Sequence, residues 1–214
     1  MKKVRVGLIS TYLMILLFTV YIFLMYLFHG AEHAPIVKAK FKNDQFSYTL
    51  WSAFFYPHIL LGITALAIGP FQLSKNGRKK LSLHKILGRI YAASIFLNVL
   101  AVPYISLFAT GGMGSTIAFL VLDVFWFTTT FMGILRIYQR NIASHQRWMQ
   151  RSYAVTLVFV SFRFIVTLLS IFLHPSISFP LGVYISIVLN LMFLEWRINR
   201  KHPIKNKANL IPSQ

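Results

Sequence analysis

Six apolar runs, each long enough to cross a bilayer, decide most of what this chain of 214 residues can become. They cover 6–28, 52–73, 86–108, 115–137, 152–173 and 178–196. About 20 apolar residues suffice for an α-helix to span a hydrocarbon layer about 30 Å thick. A span in lipid must satisfy its own amides, so each run is expected to be helical. The fold class that follows is all-α, a six-helix transmembrane bundle. Hydrophobic residues make up 57% of the chain, more than one water-soluble core of this size absorbs. The first run follows Met1-Lys2-Lys3-Val4-Arg5, the way a secretion signal begins, but it exceeds the roughly 7 to 15 apolar residues of a cleavable signal. It is read as a retained first helix.

The charge is strongly basic, with 22 Lys and Arg against four acids, Glu32, Asp44, Asp123 and Glu195. On a soluble chain that balance would point to nucleic acid. Here the bases sit in short segments between apolar runs, as membrane topology requires, so no nucleic-acid partner is expected. Basic residues crowd the chain start, the second and fourth connections and the segment after 196, whereas the other side holds only Lys38, Lys40 and Lys42. Both termini are therefore expected to be cytoplasmic, with the basic segments against the anionic lipids of the inner leaflet. Residues 1–196 read as one integral membrane domain and 197–214 as a basic cytoplasmic tail without fixed structure. The absence of cysteine excludes disulfides, iron–sulfur ligation and covalently attached haem.

Helical spacing gathers the polar residues onto faces. His58, Gly62, Ala65 and Gly69 form one stripe, and His84, Gly88, Tyr91, Ile95 and Asn98 another, with interhelical hydrogen bonding as the default role of Asn98. Asp123 recurs at seven-residue intervals with Thr116 and Thr130, and Arg163 lies on the stripe of Ser152, Thr156 and Thr167. At 1.5 Å per residue, Asp123 falls about 12 Å and Arg163 roughly 15 to 18 Å below the outer boundary. An unpaired charge at such depth costs at least about 2.5 kcal/mol, so an Asp123–Arg163 ion pair is expected, with His58 completing an intramembrane polar centre able to relay protons or hold a quinone or small anion. Glu195 is expected to meet a neighbouring arginine such as Arg197.

The segments Leu83 to Ala92 and Ser144 to Ala154 echo one another, each running from His through Arg to Tyr-Ala as a helix begins. His84 and His145 thus share a depth at the inner ends of odd-numbered helices, where two neutral imidazoles could hold the iron of a b-type haem. Arg89, Arg147 and Arg151 would suit its propionates or another anionic headgroup. The bland alternative is an interfacial loop sitting among phosphates. HExxH, GxSxG, P-loop and Gly-rich nucleotide motifs are all absent, which leaves hydrolase and kinase readings unsupported.

The H-x-x-x-G-R-x-Y motif (His84, Gly88, Arg89, Tyr91) and the H-x-x-W-M-x-R-S motif (His145, Trp148, Met149, Arg151, Ser152), with intramembrane Arg163 and the His58 to Leu73 segment before them, resemble a bacterial family of predicted multi-pass membrane proteins with a domain of unknown function. The likeness covers roughly 52–174 and implies a bacterial plasma membrane without implying an activity. More loosely, the chain is similar to cytochrome b561 and ferric-reductase bundles, in which histidines on successive helices hold haem. It departs from them in lacking a clean outer histidine pair and any flavin or nicotinamide module, so an electron donor would be a quinol or a separate redox partner protein. Two function classes stand at this point: a haem-binding electron-transfer or quinone-linked redox protein, or a non-enzymatic small-solute transporter or lipid-binding accessory protein centred on Asp123 and Arg163.

Overall fold

The computed structural model describes residues 2–201, and the 202–214 part of the expected tail lies outside the described residues. Six helices among them are long and apolar enough to cross a membrane. Helix α1 runs over Lys2–Ile22 and continues as a π-helical turn, Phe23–Phe28. Helices α2 (Tyr48–Leu73), α3 (Leu81–Leu107) and α4 (Met113–Tyr138) follow. Helix α5 comes in two segments, Ile142–Thr156 and Val158–Leu169, and α6 spans Pro175–Lys201. The described residues contain no β-strand.

The helices outrun the apolar runs, most of all where α3, α5 and α6 meet the basic segments. Hydropathy marks only the part facing lipid, whereas a helix continues until its free amides are capped. The side chain of Asn141 accepts from the Ser144 amide at 3.0 Å and so starts α5 well before residue 152. Both His84 and His145 are consequently helical, not loop residues.

Helices α2, α3, α4 and α5 pack in cyclic order into a four-helix unit, with α6 against α4 and α5. Helix α1 is peripheral: only 11% of its apolar window is buried, and Ile9, Leu13 and Leu17 are left to the bilayer. Lipid tails are as apolar as leucine, so polar contacts and close packing between small residues carry the association. Tyr91 of α3 crosses the interior to the hydroxyls of Ser152 at 2.9 Å and Thr156 at 3.0 Å on α5, and the Trp126 indole of α4 donates to the same Thr156 hydroxyl at 2.9 Å. Thr130 closes the network onto Ser152 at 2.7 Å.

The connection between α1 and α2 is more than a loop. Short helices at Ala31–His33, Pro35–Lys38 and Ala39–Lys42 fold over the mouth of the bundle at the end opposite the basic segments, burying Ala31, Ala34 and Val37 against Tyr26, Trp51 and Ile59. Gly30 turns the chain into this cap at φ +78°, a conformation that a side chain would strain.

Candidate functional site

Beneath that cap lies a cavity of about 200 Å³. Its walls are largely aromatic and aliphatic, with Trp51 and Phe55 from α2, Trp126 from α4, and Phe159 and Phe162 from α5. Four acidic or basic side chains interrupt them: His58, Asp123, Arg163 and, from the cap, Lys40. The three residues of the polar centre expected from helical spacing therefore do line one space. Lys40 was not legible, because nothing in the sequence says that the first outer connection folds back over the bundle.

His58 is fixed by Asn98 of α3. The Asn98 amide nitrogen donates to the His58 carbonyl at 3.1 Å, which orients the amide so that its oxygen faces the ring, 2.5 Å from Nδ1. Phe159 stands 5.6 Å away, ring centre to ring centre, and would also be met at 3.1 Å by a Cβ on Gly62. Gly62 is thus small because an aromatic ring occupies the space beside it.

The expected Asp123–Arg163 ion pair does not form: among the described residues the ion pairs are Arg151–Glu195 and His33–Glu32. Arg163 instead donates to the Tyr26 hydroxyl at 3.1 Å, its guanidinium 5.8 Å from the Tyr26 ring centre. A hydroxyl and a π-face on α1 give a desolvated guanidinium partners without a second buried charge. Asp123, 7% exposed, is left with Oδ1 unpartnered.

Lys40 closes the capped end. Its ammonium donates to the carbonyl of Phe108, the residue that ends α3, and sits 5.8 Å over the ring of Trp51. Burial pushes its pKa down from the usual 10.5 to about 8. The cap is braced on its other flank by Tyr48, which donates to Glu32 and holds that carboxylate below its ordinary range. A second, shallower hollow lined by Ile36, Lys40, Ala109, Thr110 and Gly112 abuts the cavity and shares Lys40 with it.

At the inner end the structure supplies a register for the other histidines. Tyr91 touches Ser152, and seven residues earlier on each helix stand His84 and His145. Two turns back along two parallel helices keeps the pair on facing sides, and the imidazoles lie within electrostatic range of one another and of Arg78. His145 Nδ1 is 2.7 Å from the Gly133 carbonyl, to which it donates, while His84 Nδ1 is buried without a partner among the described residues. Arg151 is committed elsewhere: Glu195 of α6 takes its Nε at 2.6 Å, and the guanidinium lies 4.8 Å from the centre of the Trp148 ring. That pairing corrects the expectation that Glu195 meets Arg197, because α5 and α6 approach at this level and bring the two side chains together across the interface. Arg89 is exposed. No group of three or more metal-ligating side chains gathers among the described residues.

These features define a multi-pass helical membrane protein with a polar centre between its helices. The chain belongs to the family described as predicted membrane protein DUF2306, whose model matches residues 55–198. No curated protein and no solved structure matches it. The matched span begins at the cavity wall of α2 and ends on α6, so it takes in His58, Asp123 and Arg163 as well as both inner histidines.

Proposed function

We propose that the chain is a quinone-linked membrane protein that binds a quinone-type ring in the cavity beneath the outer cap. One observation carries this reading: His58, Asp123 and Arg163 line a single aromatic-walled space inside the membrane. A void of about 200 Å³ is smaller than the roughly 300–1,000 Å³ pockets that hold drug-sized ligands. It suits a single ring whose apolar tail leaves between helices, and it is too small for a porphyrin. Trp51 and Trp126 line the cavity whereas Trp148 and Trp196 do not. A short-tail benzoquinone titrated into the detergent-solubilised protein should therefore quench the first two indoles and spare the second two, as read in single-tryptophan variants. Uniform quenching at all four would mean partitioning into the micelle and would remove the reading. The chain is further proposed to reside in the cytoplasmic membrane of a bacterium with both termini inside, on the strength of the basic inner segments.

A second reading is favoured by the inner histidines. A ligating imidazole usually donates its other nitrogen to a carbonyl or carboxylate, and His145 has that arrangement toward Gly133. His84 and His145 are the residues that would hold a haem iron, a centre that exchanges single electrons when bound. Their donor chemistry fits, whereas Arg151, already paired to Glu195, is not available to a propionate. A reduced-minus-oxidised absorption spectrum of protein from haem-replete cells tests it. A Soret band lost in His84→Ala and His145→Ala supports the site, and a colourless folded protein removes it.

A further inference from the structure

We infer that Asn98 is a positioning residue that makes His58 a hydrogen-bond acceptor, and that the cavity therefore selects a ligand presenting a hydroxyl, the quinol in preference to the quinone. This rests on the proposed ring-binding role of the cavity and narrows it to one redox form of the ligand.

An Asn side chain offers an oxygen that only accepts and a nitrogen that only donates. Its orientation is ordinarily ambiguous, but here the nitrogen is bound to the His58 main-chain carbonyl at 3.1 Å, a group that can only accept. The oxygen is thereby turned to His58 Nδ1 at 2.5 Å, and a contact of that length between two acceptors would be repulsive, so Nδ1 carries the proton. A neutral imidazole has one proton to place, which leaves Nε2 as a bare lone pair. Nε2 has no partner among the described residues, and His58 lines the cavity.

Asn98 itself is fully buried, so water does not compete for either contact. Helix α3 thus presets the polarity of a residue on α2. A ring hydroxyl donates to such a lone pair, whereas a ring carbonyl brings a second lone pair against it and leaves both unsatisfied. Of the other polar groups on the wall, Arg163 already donates to Tyr26 and Lys40 to the Phe108 carbonyl, and Asp123 is untouched by a change at Asn98, so the part of the preference owed to His58 is the part that Asn98 controls.

The test uses the intact chain in detergent. Calorimetric titration under argon with a short-tail benzoquinol, and separately with its benzoquinone, should show the quinol bound about tenfold more tightly, the worth of one well-placed hydrogen bond. Asn98→Leu, which frees the ring to carry its proton on either nitrogen, should reduce the preference. Asn98→Asp keeps an acceptor against Nδ1 and should retain it. Nitrogen-15 spectra of histidine-labelled wild-type protein give an answer even where Asn98→Leu fails to fold: the His58 signal should show Nδ1 protonated and Nε2 bare. Equal affinity for the two forms, a preference undiminished in Asn98→Leu, or a protonated Nε2 in the ring-labelled protein each overturns the inference while leaving ring binding intact. Failure to bind either form overturns the proposed function and this inference with it.

Discussion

Tyr153 fills the space where Gly69 would carry a Cβ, and that ring is buried and cannot retreat. Gly69→Ala should therefore cost about 1–3 kcal/mol of overpacking. Gly88, on the matching stripe of α3, has nothing closer than the Gln72 amide at 3.9 Å, so Gly88→Ala should be neutral or mildly stabilising. Thermal unfolding in detergent, run side by side, separates the two; equal losses would contradict the packing around Tyr153. Lys40 sets a pH dependence whose sign is fixed. Its folded pKa of about 8 lies below the unfolded value of 10.5, so between these the unfolded chain holds more protons and stability rises with pH. The penalty is fully present below about pH 8. Lys40→Met should flatten that rise in melting temperature, and an unchanged slope would mean that the ammonium is not buried under the cap. Both features escape a reading of the sequence for the same reason: spacing identifies a face but not what is pressed against it. His58, Asp123 and Arg163 were legible as inward-facing because charge in a span must turn from lipid. Their partners were not, since Tyr26 is one of three tyrosines on the first helix, with Tyr12 and Tyr21, and spacing does not say which of them meets a buried charge.

Between elements, the interior is tied together through hydroxyls. Tyr91 of α3 reaches Ser152 and Thr156 of α5, and α4 enters through Trp126 and Thr130. A double-mutant cycle of Tyr91→Phe with Ser152→Ala should return a coupling of about 0.6 kcal/mol and no more than about 1.7 kcal/mol, the range found for interhelical hydrogen bonds in a membrane. Zero coupling would mean that the two helices do not meet at this level. The same contact explains why the internal echo aligns imperfectly. By sequence Tyr91 matches Tyr153, but in space Tyr91 meets Ser152 while Tyr153 turns aside to donate to the Leu66 carbonyl at 3.3 Å. One residue is 100° around a helix, enough to send two tyrosines of similar sequence context to different neighbours. Helix number and order were legible because lipid imposes length and apolarity. The inner ends were not, since there the helices continue through polar residues whose caps, such as Asn141, carry no hydropathy signal.

The whole molecule is a bundle with one mouth covered by the cap and basic segments at the opposite end. If the basic segments orient it as proposed, reporters active on one side only will place the C-terminus inside and Lys38 outside; an external C-terminus would reverse the bundle and turn the cap toward the cytoplasm. The cap over the cavity could not have been foreseen, since a stretch of small, basic and aromatic residues reads equally well as a surface loop. The central claim is that an accessible, ligand-sized space lies among His58, Asp123 and Arg163, and a chain without cysteine permits a direct measurement. Single cysteines at Ser106 and Leu122, which line the cavity, and at Leu100, which is 74% exposed on the lipid side, would be timed against a small thiol reagent with and without short-tail benzoquinone. The account predicts that the ligand slows labelling of Ser106→Cys and Leu122→Cys and leaves Leu100→Cys unchanged. Identical responses at all three positions would contradict it.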